Sequence, residues 1–152
     1  MAWTLCSTRS LLVSTRGYLR HHGTPSTPSD LVEHNCLHYL RAHEAPAWTF
    51  EPLAQHIESE RVTVPVFGCL SANNSEALRE AALTGLGVAL LPDFSAQASL
   101  HQNKLVQVLP QWKSVGAFAE NIYAIRPYSH HVPLAVTALV TYLRGVFSSG
   151  FG

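Results

Sequence analysis

The sequence predicts an α/β domain built on a parallel sheet, and residues 71–92 carry most of that prediction. Apolar residues recur there at helical spacing, at Ala77, Leu78, Ala81, Ala82 and Leu86. Gly85 and Gly87 then end the helix, because glycine readily takes the left-handed conformation of a helix C-cap. The apolar run 88–91 follows at once and is ended by Pro92. A strand that follows a helix so closely is typical of a βαβ unit with parallel strands.

The elements before this unit are weaker but readable. Residues 10–14 form a short apolar run and predict a buried strand followed by a loop. Thr27 as N-cap, Pro28 at the first helical position and Asp30 as a capping-box acid predict a short helix over 28–34. Residues 36–40, 48–50 and 57–70 predict further strands. Valines alternate with Thr63 and Pro65 in the last of these, and a proline in a strand favours the edge of a sheet.

Two strands and a helix complete the chain. Residues 105–109 and 122–125 are short apolar runs that predict strands. Pro133 is suited to open a final helix. Its apolar residues fall at helical spacing and predict a stripe that faces the core: Leu134, Ala138, Leu139, Tyr142, Leu143 and Val146. The tail 148–152 has little to hold it and is expected to be flexible.

Composition narrows the class of protein. The 152 residues are 47% hydrophobic and 13% charged, which favours a folded domain over a disordered chain. Ten basic residues balance ten acidic ones without a basic stripe, so the chain lacks the usual signature of a DNA-binding surface. Three widely spaced cysteines are typical of reduced thiols in the cytoplasm. No apolar run is long enough for a membrane span. Residues 1–29 have basic, Ser-rich and acid-free composition, which also overlaps with a transit peptide.

The segment 71–92, SANNSEALREAALTGLGVALLP, resembles the helix and strand of the effector-binding domain of LysR-type transcriptional regulators. Flanking segments keep the family's order, and together they cover about residues 5–147. They are residues 13–19, 22–31, 35–37, 48–50, 105–112, 122–125 and 130–133. The resemblance implies a periplasmic-binding-protein-like fold of type II, in which two α/β lobes joined by crossing strands hold a small effector.

The resemblance also implies that parts of such a regulator lie outside this sequence: the winged helix-turn-helix and the first βα units of lobe one. Residues 1–11 then correspond to a crossover strand and 12–112 to a nearly complete lobe two. Residues 113–147 correspond to the returning strand and last helix of lobe one. The implied partners are a small-molecule effector, with carboxylates as one class, and DNA only through the missing domain. A homodimer is a further expectation, and no membrane contact is expected.

Three loops are candidate effector contacts under this resemblance. Asn73, Asn74 and Ser75 precede the central helix, whose N–H groups and dipole attract anions. The simpler interpretation is that the asparagines only cap the helix.

Ser14, Thr15 and Arg16 end the first strand, at the edge where α/β sheets usually bind ligands. Arg16 suits a carboxylate, although a solvated surface arginine is the simpler interpretation. Pro92 and Asp93 end the second strand and form the third candidate loop, in which Phe94 is expected to pack.

Other functions have less support from the sequence. His34, His38 and His43 suggest a metal site, but they match no recognised zinc spacing, and neither a metal nor a cofactor is predicted. No nucleophile elbow or phosphate-binding loop is present, so an enzyme is not predicted. A stand-alone solute-binding module and a small α/β enzyme remain the alternatives. The first requires an export signal, for which residues 11–13 are too short an apolar run.

Overall fold

The computed structural model describes residues 1–40, 45–54 and 61–151. Its strands are β1 (Ala2–Ser7), β2 (Ser10–Ser14), β3 (Cys36–Tyr39), β4 (Ala47–Pro52), β5 (Val62–Pro65), β6 (Ser71–Ala72), β7 (Val88–Pro92), β8 (Val106–Gln107), β9 (Trp112–Val115) and β10 (Asn121–Ile125). Its α-helices are α1 (Arg16–His22), α2 (Ser75–Leu83), α3 (Asp93–His101) and α4 (Leu134–Val146), and Pro28–Glu33 is a 3₁₀ helix. The chain divides into a larger unit, Ser10–Phe118, and a smaller unit, Met1–Arg9 with Ala119–Gly152.

A five-stranded sheet with the order β6-β3-β7-β2-β8 organises the larger unit. Strand β3 is parallel to β6 on one side and to β7 on the other, which confirms the predicted parallel sheet. Strand β2 is antiparallel to both β7 and β8. The parallel trio therefore ends at a common edge, which we call the carboxyl edge.

Both faces of this sheet are buried, as the alternation of side chains along a strand requires. Leu37, Ala89 and Leu91 pack with Leu78 and Ala82 of α2 on the first face. On the opposite face the core contains Leu12, Cys36, Val88 and Leu90, together with Trp48 and Phe50 of the small sheet. Full burial of one such aliphatic side chain stabilises a fold by about 1.5–3 kcal/mol. All four residues of the run 88–91 are apolar because successive side chains point to opposite faces of the sheet, and both faces are buried.

A second sheet with the order β5-β4-β9 covers the face of the large sheet that contains Leu12, Cys36, Val88 and Leu90. It is antiparallel throughout. Strand β5 lies at its edge, as Pro65 predicted. The strand predicted over 57–70 is only partly confirmed, because residues 57–60 lie outside the described residues and β5 belongs to this second sheet. The strand that leads into α2 is instead the two-residue β6.

Two helices occupy segments that we predicted as loops. Helix α1 directly follows β2, and its N-cap Thr15 accepts a hydrogen bond from the Tyr18 N–H at 3.1 Å. Helix α3 begins at Asp93, directly after β7. Neither helix has a clear apolar stripe, so periodicity did not indicate them. The predicted helix over 28–34 is present as a 3₁₀ helix, and Asp30 accepts the Thr27 N–H at 2.9 Å as the capping box predicted.

The smaller unit contains the antiparallel pair β1 and β10, with α4 packed on β1. Arg144 Nε donates to the Thr4 carbonyl at 2.9 Å. The predicted core-facing stripe of α4 is wrong: Leu134 is 86% exposed and Tyr142 68% exposed, whereas Val140 is buried. The helix is apolar on most of its surface, so periodicity alone did not identify the face that packs on the strand.

The cysteines differ sharply in access to solvent. Cys36 is fully buried, and burial raises the pKa of its thiol to about 12. Cys6 is also buried, while Cys69 is exposed. Thiolates are the reactive form of cysteine. We therefore expect a thiol reagent at neutral pH to label Cys69 rapidly, and Cys6 and Cys36 only after unfolding. Absorbance-monitored labelling tests this, and Cys69→Ser should abolish the rapid phase. Rapid labelling in that variant would contradict the described core.

Candidate ligand-binding site

The carboxyl edge brings together two of the three predicted loops. Residues Asn73, Asn74 and Ser75 follow β6, and Asp93 follows β7. Tyr39, at the end of β3, donates its hydroxyl proton to the Asn73 carbonyl and so fixes the loop against β3. Ligands of α/β sheets bind at this edge because loops from adjacent parallel strands converge there.

Helix α2 begins at this edge with a satisfied cap. Asn74 Oδ1 accepts the N–H groups of Glu76 at 2.7 Å and Ala77 at 3.4 Å. Of the two predicted N-cap candidates, the structure selects Asn74. The Glu76 carboxylate in the first turn already complements the helix dipole. An incoming anion therefore meets a helix terminus whose positive end is partly neutralised, and the side chain of Asn73 is exposed beside it.

A polar network joins the starts of α2 and α3. The Ser75 and Ser95 hydroxyls lie 2.9 Å apart, and Ser95 also donates to Glu76 Oε1 at 2.9 Å. Because the Ser95 proton is directed to Glu76, Ser75 donates to Ser95. Glu76 pairs with Arg79 at 2.5 Å, and Arg79 Nη1 donates to the Ser95 carbonyl at 3.4 Å. Ser95 and Arg79 were not predicted from the sequence, because residues from two helices meet only in the folded sheet.

The junction between β7 and α3 is held from both sides. Pro92 pairs with Ser10 in the antiparallel register of β2 and β7. Asp93 is only 6% exposed, and its Oδ1 accepts the Phe94 N–H at 2.9 Å. Phe94 itself is 45% exposed, so it is only partly buried. Asp93 is therefore a buried side chain that starts α3 at the carboxyl edge.

The remaining predicted loop lies at the opposite end of the sheet. Strand β2 is antiparallel to β7, so our inference that both strands end at one edge was wrong. Ser14 is buried and donates to the Gly87 carbonyl at 2.9 Å, beside the amino end of β7. Thr15 caps α1, and Arg16 is exposed, as the simpler interpretation held. These three residues therefore do not converge with the carboxyl-edge loops, and a role for them in ligand binding stays a prediction.

A cavity of about 300 Å³ lies beside the carboxyl edge, between the end of β3, the start of β4 and the loop after β9. We call it the β3–β4 pocket. It is lined by His38, Tyr39, Leu40, Ala45, Pro46, Ala47, Trp48, Thr49, Leu90, Val115, Gly116, Ala117 and Phe118. Tyr39 links the pocket to the edge, because its hydroxyl holds the Asn73 loop. This pocket was not predicted from the sequence, because residues near β3 and β4 form it together with Leu90 and the loop after β9.

A buried tyrosine–histidine pair lies beneath helix α1. The Tyr18 hydroxyl accepts the Asn35 N–H at 2.9 Å and lies 3.2 Å from His34 Nδ1. Burial, followed by repulsion from His22, lowers the pKa of His34. Burial also raises the pKa of Tyr18. The folded chain therefore favours a neutral His34 imidazole, whose Nδ1 accepts a hydrogen bond from the Tyr18 hydroxyl.

We expect this pair to make the stability of the larger unit pH-dependent. The unfolded chain protonates His34 near pH 6.5, whereas the folded chain resists protonation. The free energy of unfolding should thus fall as the pH drops below about 6.5, and level off once the folded state also binds the proton. Urea unfolding between pH 7.5 and 5 measures this slope. His34→Gln should flatten it, while exposed His101→Gln should not; equal slopes in all three proteins would contradict the assignment.

Within the described part of the chain, no three His, Cys, Asp or Glu side chains are grouped closely enough to hold a metal ion. His43, part of the suggested histidine cluster, lies outside the described residues. Over the same part of the chain, no helix has the length and hydropathy needed to cross a bilayer.

Comparisons with known proteins support one family. The family described as the LysR substrate binding domain matches residues 2–148. The chain is 33% identical over 140 residues to the HTH-type transcriptional regulator PtxR of Pseudomonas aeruginosa, covering 92% of this chain and 42% of that protein. It is 30% identical over 135 residues to the probable HTH-type transcriptional regulator LtrA of Klebsiella pneumoniae, covering 89% and 42%.

Solved structures give the same result. The regulatory domain of AphB from Vibrio vulnificus matches with a TM-score of 0.74 at 27% identity, covering 96% of this chain and 68% of that one. The predicted periplasmic-binding-protein-like fold of type II is thereby confirmed. The chain spans less than half the length of the two curated relatives. These relatives are transcriptional regulators, so neither the solute-binding module nor the enzyme is favoured. The chain belongs to the LysR substrate-binding domain family.

Proposed function

We propose that this chain is the effector-sensing portion of a LysR-type transcriptional regulator and binds a small molecule at the carboxyl edge of its five-stranded sheet. The observation that carries the proposal is the convergence of β3, β6 and β7 at one edge. Asn73, Ser75 at the start of α2 and Asp93 at the start of α3 all lie at this edge. Adjacent loops at such an edge are the usual ligand site of α/β sheets.

We assign the larger unit, Ser10–Phe118, to lobe two and the smaller unit to the part of lobe one that this chain contains. The predicted bounds were 12–112 and 113–147, and the bounds of these units differ from them by up to six residues. DNA binding is assigned to a winged helix-turn-helix outside this sequence, in keeping with the HTH-type names of the longer relatives. We further propose a cytoplasmic protein without catalytic activity that forms a homodimer in the full regulator.

The polar groups of the edge favour a ligand that exchanges hydrogen bonds with amides and hydroxyls. The exposed Asn73 amide offers two donors and an acceptor. The predicted carboxylate class has support from the dipole of α2, but the Glu76 charge in its first turn opposes it. A test of the function should therefore include both carboxylates and neutral metabolites.

A thermal-shift screen of small metabolites tests the proposal. A ligand that binds only the folded state raises the melting temperature, by an amount that grows with the ratio of free ligand concentration to Kd. We expect at least one compound to do so, and Asn73→Ala to weaken a hit bound at the edge about fivefold, as loss of one hydrogen bond predicts. Gln102→Ala removes a comparable exposed amide after α3 and should leave affinity unchanged. A screen in which no metabolite stabilises the chain would overturn the proposed function.

A further inference from the structure

We propose that the β3–β4 pocket binds a planar aromatic molecule carrying a hydrogen-bond donor. This inference rests on the proposed effector-sensing function and names the class of ligand that the site would take. Three observations carry it: the aromatic walls of the pocket, the fixed orientation of its histidine, and its volume.

Three large aromatic side chains, Tyr39, Trp48 and Phe118, form part of the wall of the pocket. The rings of Tyr39 and Phe118 meet edge to face, with centroids 5.6 Å apart and planes at 88°. Trp48 is only 6% exposed and belongs to the core on this face of the sheet. Aromatic rings pack favourably against one another in offset or edge-to-face geometry. Walls that are rigid before binding lose little freedom when a flat ring enters.

The histidine of the pocket presents a hydrogen-bond acceptor. His38 Nδ1 lies 3.2 Å from the Cys36 carbonyl oxygen, which only accepts, so Nδ1 carries the proton. In the neutral imidazole the second nitrogen, Nε2, then has the lone pair. The Tyr39 hydroxyl proton is already directed to the Asn73 carbonyl. A ligand is therefore recognised through a donor of its own, such as an amide N–H or a phenolic O–H.

The volume of the pocket limits the ligand to a small molecule. About 300 Å³ is near the lower end of typical ligand cavities. It equals the space of about ten waters at ~30 Å³ each. A cavity of about 150 Å³ holds one benzene ring, so the pocket has room for a single ring with a substituent or for a fused bicyclic ring, but not for a large ligand.

Benzamide and benzoate form a matched pair of probes, because they share a ring and differ in the group that meets His38. Titration of the ¹⁵N-labelled chain, followed by two-dimensional NMR, gives both affinity and location. We expect benzamide to shift the Trp48 indole and Phe118 amide signals, and benzoate to bind about tenfold more weakly, because two acceptors face each other. Toluene, which has no polar group, should bind equally to wild type and to His38→Phe, while benzamide should lose about fivefold in that variant.

Ala117→Leu places a larger side chain in the wall of the pocket and should abolish benzamide binding. Ala98→Leu makes the same change on the exposed side of α3 and should not affect it. The signal shifts of the wild-type chain locate the probe without any variant, so the test does not depend on the folding of Ala117→Leu.

Benzoate binding at the pocket as tightly as benzamide would overturn the inferred donor, while leaving the effector-sensing function intact. The absence of any aromatic probe from the pocket, with a metabolite bound at the Asn73 loop, would overturn the pocket alone. If neither the probes nor the screened metabolites bind anywhere on the chain, both the pocket proposal and the proposed function are overturned.

Discussion

Replacing Gly87 by alanine is expected to destabilise the larger unit of the chain strongly. A Cβ atom at Gly87 would lie 2.1 Å from the Asn35 carbonyl oxygen, far closer than real Cβ contacts. That carbonyl cannot easily move, because it accepts the Val88 N–H at 2.9 Å. The Asn35 side chain is also fixed, since its Nδ2 donates to the Leu86 carbonyl at 2.7 Å. We expect a loss of about 3 kcal/mol or more of unfolding free energy, a large part of a typical domain's stability.

Urea unfolding followed by circular dichroism measures this loss. Gly17→Ala is the matched control, because its Cβ would have only Thr15 Oγ1 within 4 Å, at 3.9 Å, and alanine is the better helix former. The control should be as stable as wild type or slightly more so. A Gly87→Ala chain with wild-type stability would mean that β3 and β7 do not approach as closely as described.

The exposed face of α4 is expected to drive self-association of the isolated chain. Leu134, Leu139, Tyr142 and Val146 are 86%, 56%, 68% and 52% exposed and recur at helical spacing. An apolar stripe of this kind is unusual on a monomer and usually marks a contact surface. Sedimentation velocity over a roughly hundredfold range of concentration should show a mass that rises with concentration, together with a rising melting temperature.

Replacing Leu139 and Tyr142 together by lysine should weaken association at least tenfold, as lost apolar area predicts, and leave the helical content unchanged. Replacing Thr137 and Thr141 by lysine adds the same charge to exposed polar positions of the same helix and serves as the control. A wild-type chain that stays monomeric at every concentration, or equal association in the two double variants, would show that this face is not the contact surface.

The sequence predicted the sheet better than the site, for physical reasons that particular residues illustrate. Residues 88–91 are apolar without interruption, and only a strand buried on both faces requires that pattern, so β7 was predictable. Pro65 located an edge strand because its missing N–H excludes a central position. Helices α1 and α3 were not predictable from periodicity, because neither has an apolar stripe.

The site depended on strand direction, which local sequence does not encode. We predicted Ser14 at the ligand edge, but the antiparallel pairing of β2 with β7 places it beside Gly87. The Ser75–Ser95 contact joins residues 20 apart, and the pocket around Trp48 brings residues 38–40 and 45–49 together with Leu90 and residues 115–118. Such contacts arise from topology, so residue type indicated the Asn73 loop but not its neighbours.

The central claim is that a small molecule binds the larger unit at the carboxyl edge or in the adjoining β3–β4 pocket. The most direct test is to titrate the ¹⁵N-labelled chain with a hit from the metabolite screen and map the shifted amide signals. We expect the amide signals of Asn73, Ser75 and Asp93, or those of the residues that line the pocket, to shift. The signals of Thr15 and Arg16 should not change. Shifts that cluster at Thr15 and Arg16 instead, at the opposite end of the sheet, would contradict it.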